Sequence, residues 1–223
     1  MLKKKNLMFK YIYDLKNKKI KNNLDIAYKK IKNLWNDQLN PKKNQYTWVF
    51  GSLFSRFNST SKKKINVLDI GCGYGTLVHY LNKNPIINAQ GIDVSKHAIQ
   101  KGQKKYKKNQ ISVNDICQDN LKIDKKFDTI IALGVFWLVF ENFKKFYKNL
   151  KKIKKKNTEI IFSINFPKDN NIFKDRIKDE NDLILFLKKY FVIDTCFRYE
   201  DLDHKKKILK KKTDFLIILA KFK

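Results

Sequence analysis

The chain has 223 residues, 50 Lys+Arg against 21 Asp+Glu and a formal net charge of +29, a length that buries a sizeable core and excludes a peptide-sized or disulfide-stapled scaffold. Its 43% hydrophobic and 13% aromatic content offsets the entropy of ordering, which excludes wholesale disorder. The charge points to a polyanionic partner, yet arginine, whose fork reads bases and phosphates, occurs only at Arg56, Arg176 and Arg198, and the Lys, Asn and Ile richness fits a solvated surface shaped by A+T-rich coding.

Residues 1–60 read as a helical N-terminal extension. Ile20, Leu24, Ala27, Ile31 and Leu34 recur at helical spacing, which predicts one or two amphipathic helices. Pro41 breaks the pattern, and the aromatic stretch Gln45 to Phe57, with Tyr46, Trp48 and Phe50, reads as a helix able to lie over a larger body as a lid. Ser59 to Lys64 is polar and basic, the best linker candidate.

From Ile65 short apolar runs alternate with helical patterns, the signature of βαβ units and a mostly parallel sheet. The predicted strands are Asn66–Ile70, Ile87–Ile92, Gln110–Val113, Phe127–Leu133 and Thr158–Ile164, with helices over Thr76–Asn82, Lys96–Lys107 and Glu141–Lys152. Phe191–Tyr199 and Asp214–Phe222 read as longer strands around the Lys-rich stretch 205–212, an antiparallel pair at the sheet edge.

Cys72, Cys117 and Cys196 are odd in number and widely separated, with no C-x-x-C pair and no histidine at ligand spacing. They read as reduced thiols of a cytoplasmic protein with no metal site. Leu7 to Leu15 is interrupted by Lys10 and Asp14 before a signal sequence forms, and no apolar run reaches the length of a membrane span.

The chemistry gathers where Val67-Leu68-Asp69-Ile70 runs into Gly71-Cys72-Gly73-Tyr74-Gly75-Thr76. Glycine lets the backbone turn sharply and approach a ligand closely, and the start of the following helix offers free amides. In a dinucleotide fingerprint the third glycine stands where Thr76 is here. Asp69, just before the turn, suits a cationic or amine-bearing ligand better than a pyrophosphate. Further on, Asp93 ends the next strand, where a carboxylate can accept from both ribose hydroxyls, although Asp93 or Ser95 could instead cap the following helix. Asp115 follows at a third strand end, placed for an exocyclic amine, and Gly134 opens a fourth into the same crevice. Asp128, at the opposite end of its strand, reads as structural.

With these elements in this order the chain resembles the class I S-adenosylmethionine-dependent methyltransferases, most closely over residues 65–165. The resemblance implies a Rossmann-like three-layer α/β sandwich, a mostly parallel seven-stranded sheet with a C-terminal antiparallel hairpin, and a methyltransferase domain over residues 61–223. It implies S-adenosyl-L-methionine as cofactor and S-adenosyl-L-homocysteine as product. By position, Gly71, Cys72, Gly73 and Gly75 would line the methionine and ribose portion, with Asp69 toward the amino group. Asp93 would hold the ribose, Val94 would pack on adenine, Asp115 and Ile116 would meet the adenine edge, and Leu133 and Gly134 would border the sulfonium. The loop Lys154-Lys155-Lys156-Asn157 departs from the Gly pair of many relatives, away from the cofactor.

The acceptor follows by exclusion. Leu133-Gly134-Val135-Phe136-Trp137 stands where base-amine methyltransferases carry a [D/N/S]-P-P-[Y/F/W] motif, and neither it nor Asn165-Phe166-Pro167 holds the cysteine of RNA 5-methylcytosine enzymes. What remains resembles the small-molecule group, acting on an O or N atom, with a sugar or polysaccharide precursor as one option. Phe136 and Trp137 are then expected as pocket walls, Tyr46 and Trp48 as lid residues, and His204 as a candidate general base. The alternative is an RNA methyltransferase or RNA-binding protein gripping phosphates with Lys144–Lys156 and Lys205–Lys212. Nothing in the sequence sets an oligomeric state.

Overall fold

The computed structural model describes residues 10–14, 16–17, 19–21, 23–31, 64–165, 175–200 and 214–223. The described N-terminal part is not all helix. Strands β1 (Tyr13–Asp14) and β2 (Lys19–Ile20) pair antiparallel ahead of a helix, α1 (Leu24–Lys30). The local cause is Asp14, whose carboxylate accepts from the Asn17 backbone N–H at 3.1 Å and side-chain amide at 3.0 Å. Such an Asx-type turn competes with helix. The helical spacing is realised over α1, with Ala27 and Tyr28 buried.

The main sheet has seven strands in the order β5-β4-β3-β6-β7-β9-β8. These are β3 (Ile65–Ile70), β4 (Ile87–Asp93), β5 (Gln110–Val113), β6 (Phe127–Leu133), β7 (Lys154–Asn165), β8 (Phe191–Glu200) and β9 (Asp214–Phe222). The pairs from β5 to β7 are parallel, while β9 runs antiparallel to both β7 and β8. Both faces of β3 are covered: Leu68 and Ile70 join one apolar cluster and Ile65 and Val67 the other. That is why the strand reads as an unbroken apolar run.

Helices α2 (Thr76–Leu81) and α3 (Lys96–Lys105) cover one face. On the other lies a broken helical segment: α4 (Phe136–Val139), a 3-10 turn (Phe140–Asn142) and α5 (Phe143–Ile153). Phe143, Phe146, Leu150 and Ile153 point inward from α5, and lysines occupy its outer face. Helix α6 (Glu180–Lys188) was not anticipated, although its signals are local: Asp179 caps it, accepting from the Asp182 N–H at 2.9 Å, and Leu183 and Leu187 are fully buried. Strand β7 starts earlier than its sequence suggests because the lysines of 154–157 find partners. Lys155 pairs with Asp128 at 2.6 Å and Lys154 lies 5.6 Å from the centre of the Phe222 ring. Its first pairing is offset from the rest by a bulge between Phe127 and Thr129.

β3 has β4 on one side and β6 on the other, so the chain order reverses there. In sheets of this kind the crevice at the carboxyl ends of the two strands flanking that reversal is where ligands bind.

Candidate active site

The turn after β3 is fixed by its backbone. The Gly71 and Cys72 N–H groups both donate to the Ile92 carbonyl, at 2.8 and 3.0 Å, and Gly75 N–H donates to the Cys72 carbonyl at 2.8 Å. Gly71 sits at φ 72°, and a Cβ there would lie 2.5 Å from Val135 Cγ2. Left-handed backbone and close approach together demand glycine. Asn109, with no obvious signal in the sequence, closes the turn by donating to the Gly75 carbonyl at 2.7 Å. Thr76 is buried and shares a 3.4 Å hydrogen bond with Tyr106.

Two carboxylates are buried beside this turn and differ in their partners. Asp93, 7% exposed, accepts from Gly73 N–H at 2.9 Å and Ser95 N–H at 2.8 Å. Burial still raises its pKa against those bonds. Ser95, not Asp93, caps α3, its hydroxyl accepting from Ala98 N–H at 3.1 Å. Asp69, 4% exposed, takes no hydrogen bond or ion pair from any described residue. Burial first, and the Asp93 charge second, push its pKa well above the ordinary carboxylate value. A buried acid without a partner is costly and suits a cationic ligand.

The remaining expected residues are spread along the rim. Val94 is 39% exposed. Asp115 is exposed, and its carboxylate accepts from Cys117 N–H at 2.8 Å. Ile116 packs its side chain into the core, and its carbonyl accepts from the Asn149 side-chain amide at 2.8 Å. Leu133 is half-buried, and Gly134, at φ 66°, has nothing within 4 Å of the place its Cβ would take. Gly134→Ala is therefore expected to cost about 1–2 kcal/mol through backbone strain alone, read as a shift of the urea midpoint.

One expectation needs correction. Phe136 is not a pocket wall: it is 1% exposed and packs against Phe140, Phe143 and Phe186, with ring centroids 5.5–6.1 Å away. An aromatic one turn beyond the rim is drawn into the apolar layer beneath it. Trp137, half-buried and edge-on to Phe136 at 5.0 Å, stays nearer the surface. Cys72 is buried, and desolvation with the Asp69 and Asp93 charges holds its thiol well above its usual pKa; it packs the turn and is no nucleophile. Tyr46, Trp48 and His204 lie outside the described residues. A groove of about 490 Å³ opens beside β4 and β5, lined by Leu68, Ile92, Ile111 and Lys122 to Lys125, and shares none of the rim acids.

A family model described as "Methyltransferase domain" matches residues 61–215. The chain belongs to the class I S-adenosylmethionine-dependent methyltransferase family. Over 131 residues this methyltransferase is 32% identical to ubiquinone biosynthesis O-methyltransferase of Rickettsia bellii, covering 57% of this chain and 52% of that protein. It is 32% identical over 75 residues to cyclopropane-fatty-acyl-phospholipid synthase of Escherichia coli, covering 34% of this chain and 19% of that one. The chain thus spans about half or less of these curated relatives. Its fold is that of the N-methyltransferase NodS of Bradyrhizobium japonicum, solved with S-adenosyl-L-homocysteine, at TM-score 0.58, 17% identity and coverage of 86% of this chain and 93% of that one. Among the described residues no helix is long and apolar enough to cross a membrane, and no cluster of three His, Cys, Asp or Glu is placed to hold a metal ion.

Proposed function

We propose that the chain transfers a methyl group from S-adenosyl-L-methionine to an oxygen or nitrogen of a small-molecule acceptor, oxygen being the first choice. The observation that carries this reading is Asp69, a buried carboxylate beside a glycine turn with no partner among the described residues. The cofactor's ammonium supplies the missing cation. Asp93, whose two oxygens already orient the turn through Gly73 and Ser95, keeps lone pairs for the ribose hydroxyls. Gly71, Gly73 and Gly75 let the backbone approach the methionine portion, Val94 offers an apolar surface to adenine, and Asp115 with the Ile116 backbone meets its edge. Leu133 and the open space at Gly134 border the sulfonium.

Bound there, the cofactor supplies an electrophilic methyl group for in-line displacement, and the protein contributes orientation and exclusion of water. The preference for oxygen is supported by the name of the Rickettsia relative, an O-methyltransferase; the relatives named above give no support to a sugar acceptor. Trp137 is the described aromatic best placed for the acceptor side.

The test is a methyl-donor consumption assay against pooled cell metabolites and, separately, total RNA. Turnover with metabolites and none with RNA is the expected result. Turnover on RNA alone, with binding that falls steeply as salt rises, would favour the nucleic-acid reading, to which the lysines on the outer face of α5 would contribute.

A further inference from the structure

The N-terminal arm reaches the same rim through one carboxylate. Asp25, on α1, accepts the Ser95 hydroxyl at 2.9 Å and the His97 N–H at 2.8 Å on a single oxygen, while its other oxygen meets Lys29 at 2.9 Å. Ser95 in turn gives its N–H to Asp93. A continuous path runs from the arm through Asp25 and Ser95 to Asp93, and from Asp93 to the Gly73 amide.

Helix α3 cannot supply this contact for itself. Its first turn contains no acid, and residues 96 and 97 are Lys and His. Ser95 satisfies the Ala98 amide, leaving the His97 amide to an acceptor 72 positions away in sequence. These bonds hold Asp25 at a pKa of about 2, the His97 amide contributing most and Lys29 next, against the cost of burial. The same arm packs on the glycine turn: Ile12, Ala27, Tyr28 and Ile31 form one cluster with Tyr74 and Ala98, and Tyr28 meets Tyr74 edge-on at 5.7 Å.

We infer that Asp25 is a positioning residue for the cofactor site, holding Ser95 and the start of α3 so that Asp93 and the glycine turn keep their binding geometry. This rests on the S-adenosylmethionine reading above and adds to it a residue outside the methyltransferase match. The arm is thereby coupled to cofactor binding: docking of α1 favours the binding-competent rim. Reciprocity then requires bound cofactor to hold α1 down.

The test is calorimetric titration of S-adenosyl-L-homocysteine into the full chain and three variants, with amide exchange measured in residues 24–31. Asp25→Ala is expected to bind about five- to tenfold more weakly, the effect of losing one shared helix cap. Asp25→Asn keeps an acceptor and recovers most of the affinity, and Lys29→Met, which removes only the ion pair, leaves it unchanged. In the wild type the ligand slows exchange in 24–31. Equal affinity in Asp25→Ala, an Asn variant as weak as Ala, or exchange in 24–31 indifferent to ligand overturns the inference while the cofactor reading stands. A wild type that does not bind at all overturns both, and the exchange measurement decides even if Asp25→Ala fails to fold.

Discussion

Asp69→Asn is expected to raise the melting temperature of the cofactor-free chain and, in the same protein, to weaken binding of S-adenosyl-L-methionine by about a hundredfold. The two effects share one cause. Asp69 is buried with no partner among the described residues, and burial and the Asp93 charge raise its pKa in the folded state. Below the unfolded carboxylate value, near 3.9, both states carry the proton and nothing is lost. As pH rises past it, the unfolded chain ionises while the folded chain resists, so folding is opposed increasingly until the raised value is passed. Asparagine never ionises, and its gain is therefore present at pH 7 and absent near pH 3. In a chain of this size each kcal/mol recovered raises the melting temperature by about 2–4 °C. On the proposed reading, the same substitution removes the buried anion that would meet the ligand's ammonium. Thermal melts at pH 7 and pH 3, with a titration at pH 7, check both halves.

Asp93→Ala is expected to act with the opposite sign on the fold, although the two acids are neighbours. Asp93 holds the Gly73 and Ser95 amides at 2.9 and 2.8 Å in a site where it is only 7% exposed. Truncation leaves two buried donors without an acceptor, each costing about 1–3 kcal/mol, so the chain loses about 2–5 kcal/mol of stability. On the proposed reading, cofactor affinity falls by at least a hundredfold, because the turn would loosen and the ribose would lose its acceptor together. Denaturant unfolding measures the first effect and calorimetry the second. Two buried rim carboxylates whose removal shifts stability in opposite directions separate an acid with partners among the described residues from one without.

Much of this was legible in the residues. Strand β6 carries Phe127, Ile130, Ile131 and Ala132 buried across both faces, and a run that is apolar on both sides announces itself. The glycine turn and Asp93 were readable because one strand end, one turn and one acid recur at fixed offsets. The hairpin at Tyr13 to Ile20 was not, since strands of two residues carry no periodicity. Lys154 to Asn157 hid a strand because its partners, Asp128 and Phe222, are supplied by the sheet and not by local propensity. Phe136 has the composition of a pocket wall and the position of a core residue, and only packing decides between them. Asp25 carried no signal at all: its partners are Ser95 and His97, and nothing near it in sequence hints at either.

The central claim is that Asp69 is the anion of a cofactor site at the end of β3. Calorimetric titration of S-adenosyl-L-homocysteine into the wild type and Asp69→Asn at pH 7 tests it most directly. One-site binding by the wild type, weakened about a hundredfold in the variant, is the expected result; no binding by the wild type, or the same affinity in both, would contradict it.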